Sequence, residues 1–416
     1  MGAVLNLMQP GGGGGMAWPP TAEEVYALTR PADWLALPQP APGEVYMLAL
    51  IPAEGSALLA FTVECTGNWT AAVGTVSGGA FVPTESAALA SGAVWESELA
   101  AADFGGVTEE GFAQAVVKLS GTGITAVAPA AHSARSNFTA WGVAEISCLL
   151  PDGAEFRCGG TTARTALAAL RYFSGGGGKL KGNFASGSAT LGAFQMCQSL
   201  VCAMGVGTAG QTDLSGMFSG CTSLLAVSGL DCSSATDVSN MFMNCVSLPA
   251  APELDLSSAE TLAGLFRGCE ALRSVGDISA PLAASAQNMF TSCLTLRAVG
   301  ELDIPAATTL AAAFQGCTAL ERVGRLGLAA LTNANAAFTN CAALGSVRLD
   351  PEAAGWAGAS LSLANCGMGH SALAALLASL PTVTAGTLTL TGNYGAGELS
   401  EAEIAAAEAK GWTVST

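Results

Sequence analysis

Six carboxylates stand at fixed places in the middle of the chain: Asp231, Asp255 and Asp303 share one register, and Glu253, Asp277 and Glu301 share another, two residues ahead of it. A row of carboxylates can accept hydrogen bonds from a cationic or polyhydroxylated ligand, and Ca2+ is the metal whose preference for oxygen it would suit. The same residue types could hydrolyse a glycosidic bond, with Asp277 and Glu301 as the pair. That reaction needs two carboxyls facing across a cleft, roughly 5 to 9.5 Å apart, whereas a row on a strand face gives a shallow surface. The bland alternative is a solvated face whose charge discourages edge pairing.

Other chemistry is sparse. The two histidines, His132 and His370, lie near no cysteine or acidic cluster at metal-ligand spacing. Gly175-Gly176-Gly177-Gly178-Lys179 is not a phosphate-binding loop, because Phe173 stands at the first glycine position and Leu180 where Ser or Thr is needed. There is no Gly-x-Ser-x-Gly elbow, and the acid pairs Glu23-Glu24 and Glu109-Glu110 suit helix N-termini. The sequons at Asn68-Trp69-Thr70 and Asn137-Phe138-Thr139 matter only in a eukaryotic secretory setting. No catalytic residue and no metal ligand is assigned, and no cofactor beyond the candidate Ca2+.

The elements that would hold the carboxylates repeat every 24 residues, as Phe-x-x-Cys-x-x-Leu occurring seven times. Its phenylalanines are Phe194, Phe218, Phe242, Phe266, Phe290, Phe314 and Phe338, and its cysteines Cys197, Cys221, Cys245, Cys269, Cys293, Cys317 and Cys341. A fixed period of this length means a solenoid, in which no coil buries its face alone and stacking supplies the core. After each cysteine come Val227, Val275, Val299, Val323 or Val347, then pairs such as Leu254 with Leu256, Leu302 with Ile304, and Leu326 with Leu328. That alternation is a half-buried strand, and the carboxylates fall beside its apolar positions, about 5 Å apart from coil to coil if the strands stack. The segments leading into each phenylalanine, such as 236–242 with Val238, Met241 and Phe242 apolar, predict one or two helical turns capped by Thr236 or a neighbour. Cysteines at one place in successive coils predict buried, stacked, free thiols, since neighbours that point the same way do not meet bridge geometry. Cys65, Cys148, Cys158, Cys202, Cys232 and Cys366 fall outside that column.

Met-Phe-x-x-Cys-x-Ser-Leu, as at 241–248, followed by Leu254-Asp255-Leu256-Ser257, resembles the BspA-type leucine-rich repeats of bacterial surface and phage proteins, over about 150 residues. The resemblance implies an α/β leucine-rich-repeat solenoid with caps at both ends. The order Arg30-Pro31-Ala32-Asp33-Trp34-Leu35, a β-rich module and then such repeats is similar to tail-fibre or receptor-binding proteins of phages infecting gut Firmicutes.

The remaining chain frames the repeats. Residues 1–42 read as a Gly-rich flexible leader, a short helix opened by the capping box at Thr21 and Glu24, and a proline linker. Residues 43–135 carry strand patterns at 45–51, 60–63, 69–76, 93–95 and 116–119, and predict a β-sandwich-like module with one helical turn at 107–112. Residues 136–190, with a strand pair over 141–158 and a short helix over 165–173, would cap the solenoid. The repeats proper span 191–345. Residues 346–416 form a C-terminal leucine-rich cap, with Leu361 and Leu388 at equivalent places 27 residues apart, a helix near 371–380, and a second capping box at Ser400 and Glu403.

Fifteen basic against 32 acidic residues give a net charge of −17, which argues against nucleic acid or an anionic membrane as partner. No apolar run is long enough to insert in a membrane, and the first residues lack the basic start of a Sec signal peptide. The expectation is a non-enzymatic, multi-domain binding protein. By resemblance it would sit in the phage tail of a virion and recognise a host cell-surface protein or glycan. Its N-terminus would join other virion tail proteins, with self-association into a homo-oligomer left open. A BspA-like adhesin on the bacterial cell surface is the alternative, and a surface-polysaccharide hydrolase the third reading.

Overall fold

The computed structural model of the protein describes residues 21–132, 135–139, 142–151, 154–156, 169–176, 179–180, 193–349 and 360–416. The leader at 1–20, Cys158 and residues 165–168 of the helix expected over 165–173 lie outside the described residues. The architecture is a β-solenoid of about nine turns, with coils of about 26 residues, and a β-rich N-terminal region. The chain divides into two compact units, residues 1–209 with 217–230, and residues 210–216 with 231–416.

In the first unit, period-2 hydrophobicity and Gly-rich turns produce β1 (Glu44–Pro52), β2 (Ser56–Glu64), β3 (Asn68–Ser77), β4 (Ala80–Ala90), β5 (Val94–Ala100), β6 (Phe112–Gly121) and β7 (Ala126–Pro129). Gly78 and Gly79 both have positive φ, 57° and 79°, as the tight hairpin between β3 and β4 demands. A small hairpin of β8 (Ala131–His132) and β9 (Arg135–Thr139) follows, then β10 (Val143–Leu149), β11 (Glu155–Phe156), β12 (Tyr172–Gly176), β13 (Lys179–Leu180), β14 (Cys202–Met204) and β15 (Ala226–Val227). One sheet has eight strands in the order β15-β14-β12-β10-β1-β6-β3-β4, and another has five, β13-β11-β7-β2-β5.

The eight-stranded sheet changes character partway across. β1 is antiparallel to β6 and β10, whereas β10, β12, β14 and β15 are parallel, with Glu145 opposite Tyr172, Tyr172 opposite Cys202, and Cys202 opposite Ala226. Antiparallel module and first solenoid coils therefore share one hydrogen-bonded sheet. Tyr172 and Phe173, expected at the end of a helix, instead open β12. The aromatic core follows the same path: Phe156 packs on Phe173, Phe173 meets Phe194 edge-on at 5.0 Å, and Phe194 stacks on Phe218 at 5.3 Å.

Helix α1 (Ala22–Thr29) packs on this sheet through Ala22 and Val25. Its capping box forms as expected, with the Thr21 side chain accepting from the Glu24 N–H and Glu24 accepting from the Thr21 N–H. Val25 is buried among Trp34, Tyr46, Leu48, Tyr172 and Cys202. The turn expected to be helical at 107–112 is a tight turn instead, closed by the Gly111 N–H on the Thr108 carbonyl, with Gly111 at φ 85°.

The second unit holds most of the repeat. Leu302 and Leu326 are buried in short parallel strands that pair coil to coil, with Ile278 opposite Leu302 and Leu302 opposite Leu326, and Ile304 and Leu328 are buried just past the strand ends. Phe242, Phe266, Phe290, Phe314 and Phe338 stack with centroids 4.9 to 5.7 Å apart, each burial contributing about 2–3 kcal/mol.

The helical turns expected before each phenylalanine are absent: no α-helix occurs among described residues 193–349. Asn240 and Asn244 have φ of 55° and 59°, and Asn288 and Ser292 57° and 62°, which an α-helix does not contain. Alternate N–H groups then point along the solenoid, from Asn240, Phe242 and Asn244 to the carbonyls of Ala263, Leu265 and Arg267 in the next coil. Inter-coil bonds replace intra-helical ones. The cap at this corner is Asp237, a neighbour of Thr236, whose Oδ1 accepts from the Ser239 N–H at 2.8 Å.

The unit ends in parallel strands Ser360–Ser362, Gly386–Thr389 and Trp412–Ser415, with α2 (His370–Ser379) and α3 (Glu401–Glu408) beside them. Ser400 and Glu403 form the expected capping box on α3.

Candidate functional site

The structure places all six carboxylates of the row on exposed positions of the second unit. Their backbone columns are those the repeat implies: Asp303 lies opposite Ser279 in the preceding coil and Gly327 in the following one. Asp255 stands close enough to Asp231 to raise its proton affinity, an effect outweighed by the hydrogen bonds described next.

The carboxylates are not a row of unengaged acceptors. Asp231 accepts from the Ser233 hydroxyl at 2.6 Å and the Ser233 N–H at 3.0 Å, and Asp255 accepts from the Ser257 N–H at 3.0 Å. Side-chain and then backbone hydrogen bonds from Ser233 and Ser257 hold both acids below the ordinary aspartate range. These are local turn caps of the kind Asp forms with the backbone two residues on. Asp277 instead bridges coils, accepting the Glu301 N–H at 2.8 Å. A Cβ at Gly300 would collide with Asp277, and one at Gly327 would lie 2.6 Å from Asp303, so a bare glycine in the following coil makes room for each carboxylate.

Arginines interleave with the acids, a feature the acid-only register overlooked. Arg325 lies 3.5 Å from Glu301, and Arg297 3.5 Å from Glu321, all of them well exposed. Exposed pairs of this kind contribute roughly 0–1 kcal/mol, so they shape the charge pattern of the face rather than its stability. The signal was visible: Arg273, Arg297 and Arg322 occupy neighbouring places in three successive repeats, and Arg325 follows in the third.

Among the described residues no group of three or more His, Cys, Asp or Glu is placed to hold a metal ion. The six carboxylates are spread over four coils, with Asp231 and Asp255 engaged by serines of their own turns and Asp277 by the next coil, and do not fit a Ca2+ site of six to eight oxygens. His370 pairs with Glu403 at 3.2 Å at the start of α2, where hydrogen bonds from Ser400 first, and His370 after them, bring Glu403 down to about 2. The side chain of His132 lies outside those described.

None of the twelve described cysteines is in a disulfide, and the seven of the column are buried with 0% exposure. Their spacing had a further use: the thiols of Cys221, Cys269, Cys293, Cys317 and Cys341 donate to the carbonyls of Phe194, Phe242, Phe266, Phe290 and Phe314 at 3.0–3.1 Å. Cys366, expected outside the column, takes its next place, donating to Phe338 at 3.1 Å. A step of 25 rather than 24 residues concealed it.

The first unit has clefts lined by described side chains. One, of about 390 Å3, is walled by Leu50, Ala57, Phe112, Ala144 and Arg171, with the Arg171 guanidinium held by both oxygens of Glu110 at 3.0 Å. Another, of about 500 Å3, lies between residues 33–35, β3, β4 and the 103–107 loop. No helix among the described residues is long and apolar enough to cross a membrane. No protein-family model matches the chain, and no curated protein matches it.

Proposed function

We propose that this chain is a non-enzymatic recognition protein whose repeats, of the BspA-like leucine-rich type with turns in place of the helical side, present a charged face to a partner. The observation that carries the reading is the pairing of rigidity with exposure. Buried Phe and Cys columns lock each coil to the next, while Asp, Glu and Arg recur at matched exposed places on the strand side. Such arrays favour extended surface recognition, because binding residues sit on rigid elements at a constant pitch. The carboxylates, spread along an exposed face rather than paired across a cleft, suit contact with a cationic or hydroxylated surface better than proton transfer.

The cellular setting follows from the sequence resemblance: a phage tail-fibre or receptor-binding component that contacts a host cell-surface protein or glycan. The test replaces Asp231, Asp255 and Asp303 together with Asn. At 231 and 255 the Asn keeps an Oδ1 acceptor for the turn, and at 303 the side chain is exposed, so the fold is expected to be retained while adsorption to host cells falls. Undiminished adsorption removes this face from recognition. Mass spectrometry of purified particles should find the chain in virions; its presence only in envelopes of prophage-free cells transfers the reading to a bacterial adhesin.

A further inference from the structure

The second cleft of the first unit, about 500 Å3 in volume, falls within the range of about 300–1,000 Å3 usual for small-ligand sites. Its lining combines Asp33, Asp103, Thr75, Thr84, Gln114 and the half-buried ring of Phe104. We propose that it is a binding site for a neutral polyhydroxylated ligand, a sugar of one or two rings.

The walls are locked together before any ligand arrives. Gln114 spends its amide on the backbone of the first wall, donating to the Asp33 carbonyl at 2.8 Å and accepting from the Leu35 N–H at 2.7 Å. Asp33 Oδ2 accepts from the Glu109 N–H at 2.6 Å, which ties that wall to the loop carrying Asp103 and Phe104. A site fixed in this way loses little freedom on binding.

The groups left over are those a sugar uses. Asp103 and the Thr75 hydroxyl are exposed and have no hydrogen-bond partner among the described residues, so a carboxylate acceptor and a hydroxyl remain for ligand hydroxyls. Phe104 offers an apolar face for the C–H side of a ring. Gly105 and Gly106 follow it, and a Cβ at either would meet nothing within 4 Å, so the loop itself leaves the opening clear. No Lys or Arg lines the cleft, which disfavours an anionic ligand, and two carboxylates fall short of the oxygen count Ca2+ takes.

The inference concerns the first unit alone and is independent of the solenoid reading. The full chain is examined by saturation-transfer NMR and titration calorimetry with maltose, lactose, mannobiose and N,N′-diacetylchitobiose. Saturation transfer to ring protons is expected for at least one of them. Asp103→Ala and Thr75→Val, both exposed and outside the hydrogen bonds that lock the walls, should each weaken that binding about tenfold, the loss of one good hydrogen bond, with circular dichroism unchanged. Binding should persist in the Asp231, Asp255 and Asp303 triple Asn variant. No transfer from any of the four sugars, transfer indifferent to both cleft substitutions, or a signal obtained only with CaCl2 would overturn the proposal.

Discussion

The Sγ of Cys293 donates to the carbonyl oxygen of Phe266, 3.1 Å away and 27 residues earlier in the chain. That carbonyl already accepts from the Cys269 N–H at 3.1 Å, so the thiol occupies its second lone pair. An alanine or valine would fill the place without donating. Repetition of this bond in successive coils gives a physical reason for cysteine in the column: it is small, apolar enough to bury, and still a weak donor.

The buried thiols should make stability fall in alkali. Burial pushes Cys269 and Cys366 up to about 12 from the ordinary 9.0. The folded state therefore holds protons that the unfolded state releases above about 9, and the unfolded state gains relative to it. The thiols' contribution is complete below pH 9 and is lost progressively as pH rises toward 12. Urea midpoints measured from pH 7 to 11 should be flat and then decline beyond 9. A thiol reagent at pH 8 should label the column only after denaturation; rapid labelling of the native protein would contradict the burial of these groups.

Gly268→Ala should destabilise the second unit by about 1–3 kcal/mol. Gly268 has φ 73°, and an added Cβ would strike Asn244 Oδ1 in the preceding coil. Alanine at Gly276, with no positive φ and open space around its Cβ, is the control and should cost under about 1 kcal/mol. Equal denaturation midpoints for the two variants would mean that the turn column carries no backbone constraint.

Phe266→Ala removes one ring from a stack in which its neighbours Phe242 and Phe290 lie at 5.5 and 5.7 Å. The expected loss is about 3–5 kcal/mol. Because coils are coupled to nearest neighbours, the calorimetric transition should broaden or split as well as shift. An unchanged melting temperature would refute the core assignment.

Arg30→Ala should loosen α1. Arg30 Nη2 lies 2.8 Å from Glu145, whose side chain is 6% exposed, and the Tyr26 hydroxyl donates to the same carboxylate at 2.5 Å. Removing the guanidinium leaves that carboxylate buried with its countercharge gone, at a cost of about 3–5 kcal/mol. Glu145→Gln with Arg30→Met, which removes both charges, should recover part of the loss. Hydrogen exchange at residues 22–29 should rise in the single variant; protection equal to wild type would show that the ion pair does not hold the helix.

The sequence by itself determined whatever is local or periodic. The 24-residue step placed the Phe and Cys columns and the buried strand leucines, because each coil meets the same neighbours at the same places. Thr21 with Glu24 and Ser400 with Glu403 announced their helices, because a capping box is complete within four residues. The turn column was legible in principle: Gly, Asn, Ser or Ala stands one and five residues before each cysteine from 221 to 341, residues that reach positive φ more readily than bulky ones. Apolar spacing at three and four residues imitated a helix there and hid it.

Tertiary structure decided the rest, where partners are distant in sequence. The pairing of β10 with β1 joins residues about 100 apart, and parallel β12 then extends the same sheet into the coils, a choice no local pattern encodes. The acidic row was visible as charge, but which oxygen caps a turn, which bridges coils and which faces Arg325 depends on the neighbouring coil. The cleft at Asp103 is the extreme case. Its two walls come from residues 33–35 and 103–107, brought together by Gln114 and the Asp33–Glu109 bond; only folding puts an exposed carboxylate, a hydroxyl and a phenyl ring around one space.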